Sequence, residues 1–138
     1  MKVCLVSLPG LTSHVAAPGG RGGSEMQSAA LSEALLDRGH DVSVVVCNYD
    51  SARHTRRITR ARLLNAYHRN AGLPGLRFVP RWLGLHRALA AADADVYFAM
   101  SAGAATGQTA WFCRGAGRGF VFGTASDTDV VPEAIRLG

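Results

Sequence analysis

Between residues 51 and 92 the chain has no aspartate or glutamate, yet nine arginines fall there (Arg53, Arg56, Arg57, Arg60, Arg62, Arg69, Arg77, Arg81 and Arg87). Such a stretch attracts polyanions, whether phosphate groups, nucleic acid or an acidic membrane surface. It reads equally well as a solvated basic face in a chain that has one lysine, Lys2, among its 15 basic residues. Long apolar runs are also missing. None approaches the ~18 residues of a membrane span, and residues 1–8 lack the small-residue cleavage site of a secretory signal. A cytoplasmic protein is the expectation. Cysteine is sparse: Cys4, Cys47 and Cys113 are odd in number and form no CxxC. That argues against a disulfide frame or a zinc site and for reduced thiols, with Cys4 and Cys47 as small buried hydrophobes. The five histidines (His14, His40, His54, His68, His86) show no ligand spacing, so no metal site is expected. There is no GxSxG elbow, no GxGxxG fingerprint and no GxxxxGK[ST] loop.

What is present is a chain of 138 residues, 48% apolar and 18% charged, which suits one globular domain over 1–138. Residues 2–8 read as a strand buried on both faces, with Val3, Cys4, Leu5 and Val6 at its centre. A loop over 9–23 carries Pro18-Gly19-Gly20-Arg21-Gly22-Gly23. A helix over 24–38 follows, with Ser24 as N-cap, Gln27 closing a capping box and Glu25 in the first turn. Met26, Ala30, Leu31, Ala34 and Leu35 form its expected apolar face, with Ser28, Ser32 and Asp37 turned away. Gly39 ends it, and His40 caps that end. Residues 41–47 are a second strand. Further along, 58–66 offers a third strand, 71–75 a turn, 81–92 a helix with Trp82, Leu85 and Leu89 on one side, 95–99 a buried strand, 103–113 a helix with Trp111 and Phe112 inward, and 119–124 a last strand. The order βαβ(β)αβαβ predicts an α/β fold, a Rossmann-like parallel sheet with helices on both faces.

In such sheets ligands bind outside the carboxyl ends of the strands. Three segments are expected there: the glycine loop, Met100-Ser101-Ala102-Gly103, and Ala125-Ser126-Asp127-Thr128-Asp129. The glycine loop runs into a helix start, where unpaired N–H groups and the positive dipole end favour an anion; a plain surface loop is the alternative. Ser126, Asp127 and Asp129 lie past a strand end expected to be buried. The carboxylates suit a base or a hydroxyl-positioning role, although Asp and Ser are also ordinary turn formers.

Gly22-Gly23-Ser24-Glu25, then a helix, then Leu36-Asp37-Arg38-Gly39-His40-Asp41-Val42-Ser43-Val44 resembles the GGxE…LxxRGHxVxV pattern of family 4 glycosyltransferases, which have the GT-B architecture. Ala92-Asp93-Ala94-Asp95-Val96-Tyr97-Phe98 with Ser101-Ala102-Gly103, and Phe120-Val121-Phe122 through Asp129, resemble two later segments of one branch. The resemblance covers most of the chain and is weakest over 48–70. It implies retaining transfer of a sugar from a nucleotide-diphosphate donor, without cofactor or bound metal, to a sugar or lipid-linked acceptor. By that resemblance the chain is one lobe of a GT-B fold, the amino-terminal acceptor side, with the donor-binding domain outside these 138 residues. The single lobe is then expected to be inactive.

Carried over by position, Gly22 and Gly23 lie against the donor's phosphates and sugar. Glu25, Ser101 and Asp129 join them as substrate-binding positions, and Ser126 and Asp127 as catalytic ones. Many relatives place a histidine–aspartate pair at the last site; here serine stands in place of the histidine. Glu25 and Glu33 match the family's E-x7-E spacing, but that motif belongs to the second domain. On one helix the two sit roughly 80° apart. The Arg53–Arg87 stretch, in relatives that use lipid acceptors, suggests a peripheral place at the inner membrane face. The competing reading is a non-catalytic Rossmann-type module binding a nucleotide or polyanion. Nucleic acid is not expected, because Tyr67, Trp82 and Trp111 are scattered among expected core positions rather than arrayed for base stacking.

Overall fold

A computed structural model describes residues 1–8, 23–47, 59–68, 72, 78–100 and 102–124, with the backbone alone for 23–25. Its elements are β1 (Lys2–Val6), α1 (Gly23–Asp37), β2 (Asp41–Val46), β3 (Arg62–Asn65), α2 (Phe78–Ala92), β4 (Val96–Met100), α3 (Ala104–Ala116) and β5 (Gly119–Gly123). All five strands are parallel, in the order β3-β2-β1-β4-β5. The Rossmann-like α/β sheet expected from the sequence is therefore the fold, with β1 at its centre, Val3 standing beside Val42 on one side and Val96 on the other.

Strand side chains alternate between faces, and the core divides accordingly. Val3, Leu5, Val42, Val44 and Val46 pack with Ala29, Leu31 and Leu35 of α1. Cys4, Val6, Val45, Tyr97 and Ala99 pack on the opposite face with Leu85 and Leu89 of α2 and Cys113 of α3. The helices thus lie on both faces, and β1 and β2 are buried from both sides.

α1 ends as its sequence demands. Gly39 has φ 77°, its N–H donates to the Leu36 carbonyl at 2.9 Å, and the His40 N–H donates to the Leu35 carbonyl at 3.1 Å. That pair of bonds is a Schellman motif, so His40 closes the helix through its backbone.

Several expectations need correction. The helix starts at Gly23, so Ser24 lies inside the first turn rather than at the N-cap. The inward face of α1 is also not the one expected. Ser28, Ala29 and Ser32 are buried while Ala30 is exposed. Small side chains let the helix approach the sheet, and the buried Ser32 hydroxyl lies 2.9 Å from that of Thr59. α2 begins at Phe78, three residues earlier than expected, and takes in Pro80. A proline is tolerated in a first turn, where the N–H it lacks would have no helical partner.

α3 buries Gln108, Thr109 and Cys113 and turns Trp111 outward, where it is 59% exposed. Both polar side chains have partners: Thr109 Oγ1 donates to the Ala105 carbonyl at 2.8 Å and Gln108 Nε2 to the Trp82 carbonyl at 2.7 Å. β5, expected to be buried, is the sheet edge among the described residues, with Val121 and Phe122 exposed.

Candidate functional site

The chain leaves β1, β4 and β5 at one end of the sheet. Val6 stands beside Ala99 of β4, and Met100 beside Gly123 of β5. Neighbouring strands lie roughly 4.8 Å apart, so the three exits fall within about 10 Å of one another. Backbone bonds carry the β1 exit further along β2, from the Ser7 N–H to the Val45 carbonyl at 3.0 Å and from the Cys47 N–H to the Leu8 carbonyl at 2.9 Å. β1 is also where the strand order reverses, with β2 on one side and β4 on the other. That reversal opens the crevice in which doubly wound sheets hold ligands.

The N-termini of α1, α2 and α3 face the same end, those of α1 and α3 after the β1 and β4 exits. α1 joins the β1 exit to the start of β2, and α3 joins the β4 exit to the start of β5. Gly103 precedes α3 in an extended conformation, and no side chain caps the helix there. Unpaired N–H groups at such ends favour an anion.

Of the residues singled out by sequence, Gly23 begins α1 and Glu25 lies in its first turn. Gly22, Ser101, Ser126, Asp127 and Asp129 lie outside the described residues. The topology therefore brings together the exits from which these segments run. Glu33 takes no part in the crevice: its carboxylate accepts from the Arg60 backbone N–H and lies 3.3 Å from the Arg60 guanidinium. Arg60 also pairs with Asp37 at 2.8 Å. One member of the acid-free arginine stretch is thus neutralised by acids from α1.

Sequence reasoning missed a second feature. The aromatic residues expected to be scattered through the core form a chain of rings across α2 and α3. Phe78 and Trp82 have centroids 5.6 Å apart, Trp82 and Trp111 5.4 Å, and His86 and Phe112 meet edge to face at 5.1 Å. A cavity of about 280 Å³ lies beside them, walled by Tyr67, Phe78, Arg81, Trp82 and Gln108. The Arg81 guanidinium stands 5.8 Å from the centre of the Tyr67 ring, a cation–π distance. Tyr67 follows β3, and the other walls come from the amino-terminal halves of α2 and α3, so the cavity opens at the carboxyl end of the sheet. The legible signal was the spacing of Phe78, Trp82 and His86 at i, i+4 and i+8, which places them along one side of a helix.

A family model described as a glycosyl transferase 4-like domain matches residues 22–137. Neither the curated proteins nor the solved structures return a match. The matched span takes in α1, every later element and all seven candidate site positions, from Gly22 to Asp129.

Proposed function

The chain belongs to the glycosyl transferase 4-like family, and from that premise we propose that it forms the acceptor-side lobe of a GT-B sugar transferase. The donor is a nucleotide-diphosphate sugar, the acceptor a sugar or a lipid-linked sugar, and the transfer retaining and independent of metal. The observation that carries this reading is the family match over residues 22–137, together with a parallel sheet whose strand order reverses at β1.

Each candidate residue has a task in this reading. The backbone at Gly22 and at Gly23, where α1 begins, approaches the donor phosphates, where an absent side chain and a positive helix end both help. Asp127, with Ser126 beside it, contacts the transferred sugar. Glu25, Ser101 and Asp129 hold substrate hydroxyls. A second lobe would grip the nucleotide, so one lobe alone binds donor weakly. It also cannot supply the near-attack alignment that contributes roughly 7–11 kcal/mol to such reactions.

The test is a titration of isotope-labelled protein with UDP- and GDP-sugars, followed by amide NMR. Shifts are expected at Gly22, Gly23 and residues 126–129, with millimolar affinity, and Gly23→Val is expected to remove them while the fold persists. Spectra unchanged at those positions, or an unchanged response in Gly23→Val, would overturn the assignment of the glycine loop.

A further inference from the structure

The cavity of about 280 Å³ between the amino-terminal halves of α2 and α3 is built differently from the crevice beside it. Its rings belong to Tyr67, Phe78 and Trp82, and Leu85 of the buried core also lines it. Besides Tyr67, its polar side chains are Arg81 and Gln108, and none of its lining residues is acidic. Small ligands are held in cavities of this kind, mainly apolar with a few polar groups that fix orientation. The volume lies near the lower end of their range, ~300 Å³.

The polar groups narrow the occupant. Gln108 Nε2 already donates to the Trp82 carbonyl at 2.7 Å. A sugar brings several hydroxyls, each of which costs free energy when it leaves water for an aromatic wall without a partner. A cation meets the like charge of Arg81. An anion is favoured by that same guanidinium, which stands 5.8 Å from the centre of the Tyr67 ring. Ala104 and Ala105 add to the preference. They line the cavity from the first turn of α3, where N–H groups have no helical acceptor and no side chain caps the helix. Three rings around a guanidinium suit a flat aromatic body, stacked offset or edge-on against them.

We propose that this cavity binds a small aromatic anion, a body of naphthalene size or smaller that carries one carboxylate or phosphate. Its ring lies among Tyr67, Phe78 and Trp82, and its anionic group faces Arg81 and the amino end of α3. The site goes beyond sugar transfer, because it needs no nucleotide sugar and its walls do not suit a sugar. It adjoins the crevice through the first turn of α3 and uses none of the seven candidate positions there.

The experiment is isothermal titration of the full chain with 2-naphthoate, 2-naphthyl phosphate, 2-naphthylmethanol and inorganic phosphate, with no nucleotide sugar present. Saturable binding of the two aromatic anions is expected, and the tighter of them identifies the anionic group. The neutral alcohol, and phosphate without a ring, are expected to bind about tenfold or more weakly. Arg81→Gln should bring naphthoate down to the level of the alcohol, and Arg81→Lys should recover part of the loss. Ala104→Leu, at an exposed position on the cavity wall, should block every aromatic ligand. Arg114→Gln, outside the walls, should leave binding unchanged. Gly23→Val should also leave it unchanged, so failure of the donor-loop assignment and failure of this one are separable. Circular dichroism checks that each variant folds, and the comparison of four ligands on the unaltered chain stands without the variants. The proposal is overturned by absence of saturable binding of either aromatic anion, or by equal binding of naphthoate and the alcohol. Arg81→Gln or Ala104→Leu without effect, or an Arg114→Gln effect as large as that of Arg81→Gln, would overturn it as well. Inorganic phosphate binding as tightly as naphthyl phosphate would make this a plain anion site, and loss of binding in Gly23→Val would move the anions to the donor crevice; either result overturns it.

Discussion

The hydroxyl oxygens of Ser32 and Thr59 lie 2.9 Å apart in the buried layer between α1 and the segment leading into β3. Thr59 Oγ1 also accepts from the Ala61 N–H at 3.2 Å, so the pair ties α1 to the strand that follows. Ser32→Ala removes one partner and leaves the Thr59 hydroxyl with the backbone contact alone. A loss of about 1 kcal/mol is expected, in the range for a single buried hydrogen bond. Thr59→Val costs more, because the Ala61 N–H loses its acceptor as well. In a double-mutant cycle read by urea denaturation, the two losses should fall short of additive. Additive losses would mean that the hydroxyls do not interact.

This pair also shows where the sequence was legible and where it was not. The first two strands, their adjacency and the parallel sheet follow from valine-rich runs such as Val42, Val44, Val45 and Val46, because β-branched residues buried on both faces leave few alternatives; β3, at Arg62–Asn65 rather than 58–66, has no such run. The Gly39 stop is equally readable, since few residues other than glycine adopt its φ comfortably. The helix faces were not. In α1 and α3 the inward positions include Ser28, Ser32, Gln108 and Thr109, and an apolar-face rule sends such residues outward. Thr109 satisfies its hydroxyl within its own helix, on the Ala105 carbonyl, whereas Ser32 and Gln108 have partners supplied by other parts of the chain, Thr59 and Trp82. Such partners exist only after folding. The same rule sent Trp111 inward and hid the aromatic strip. For the site, topology was legible at the strand exits, whereas the assignments of Ser126 and Asp127 rest on family likeness.

Tyr97 supplies a second buried tether. Its hydroxyl donates to the Leu89 carbonyl at 2.8 Å and accepts from the Ala94 N–H at 3.2 Å. Leu89 is among the last four residues of α2, whose carbonyls have no helical donor waiting. Tyr97→Phe preserves the ring and strands both backbone groups, so it should lower stability by about 1–3 kcal/mol. The expected result is a lower urea midpoint at unchanged slope. An unchanged midpoint would mean that water takes the place of the hydroxyl.

Gly84 marks the closest approach of α2 to the end of β3. A Cβ there would run into the Ala66 carbonyl oxygen and come within 3.1 Å of the Tyr67 Cβ. Alanine gains up to about 1 kcal/mol over glycine in a helix interior, but overpacking against backbone costs about 1–3 kcal/mol, so the clash wins. Gly84→Ala should therefore destabilise. Gly107 in α3 has open space where its Cβ would go, and Gly107→Ala should stabilise by a few tenths to about 1 kcal/mol. Thermal melts of the two variants should move in opposite directions; a shared direction would contradict the tight contact at Ala66.

Alkaline pH tests the packing around β1. Cys4 is fully buried, and burial pushes its thiol up to about 12 from an ordinary 9.0, against a smaller opposing effect of its hydrogen bond with Ser43. The unfolded chain releases that proton near the ordinary value, while the native state keeps it. The contribution of this thiol is therefore complete below about pH 9 and is lost as pH rises toward about 12, at no more than about 1.4 kcal/mol per pH unit. Burial also raises Cys113, Tyr67 and Tyr97, so the intact protein should lose stability with a combined slope. Cys4→Ala removes one titrating group and should flatten that slope between about pH 9 and about pH 12, whatever the substitution costs at neutral pH. Thiol alkylation gives an independent reading. Half-buried Cys47 should react in the native state, with Cys4 and Cys113 reacting only on unfolding. Equal alkaline slopes for the two proteins, together with rapid native-state alkylation of Cys4, would show that solvent reaches the centre of the sheet.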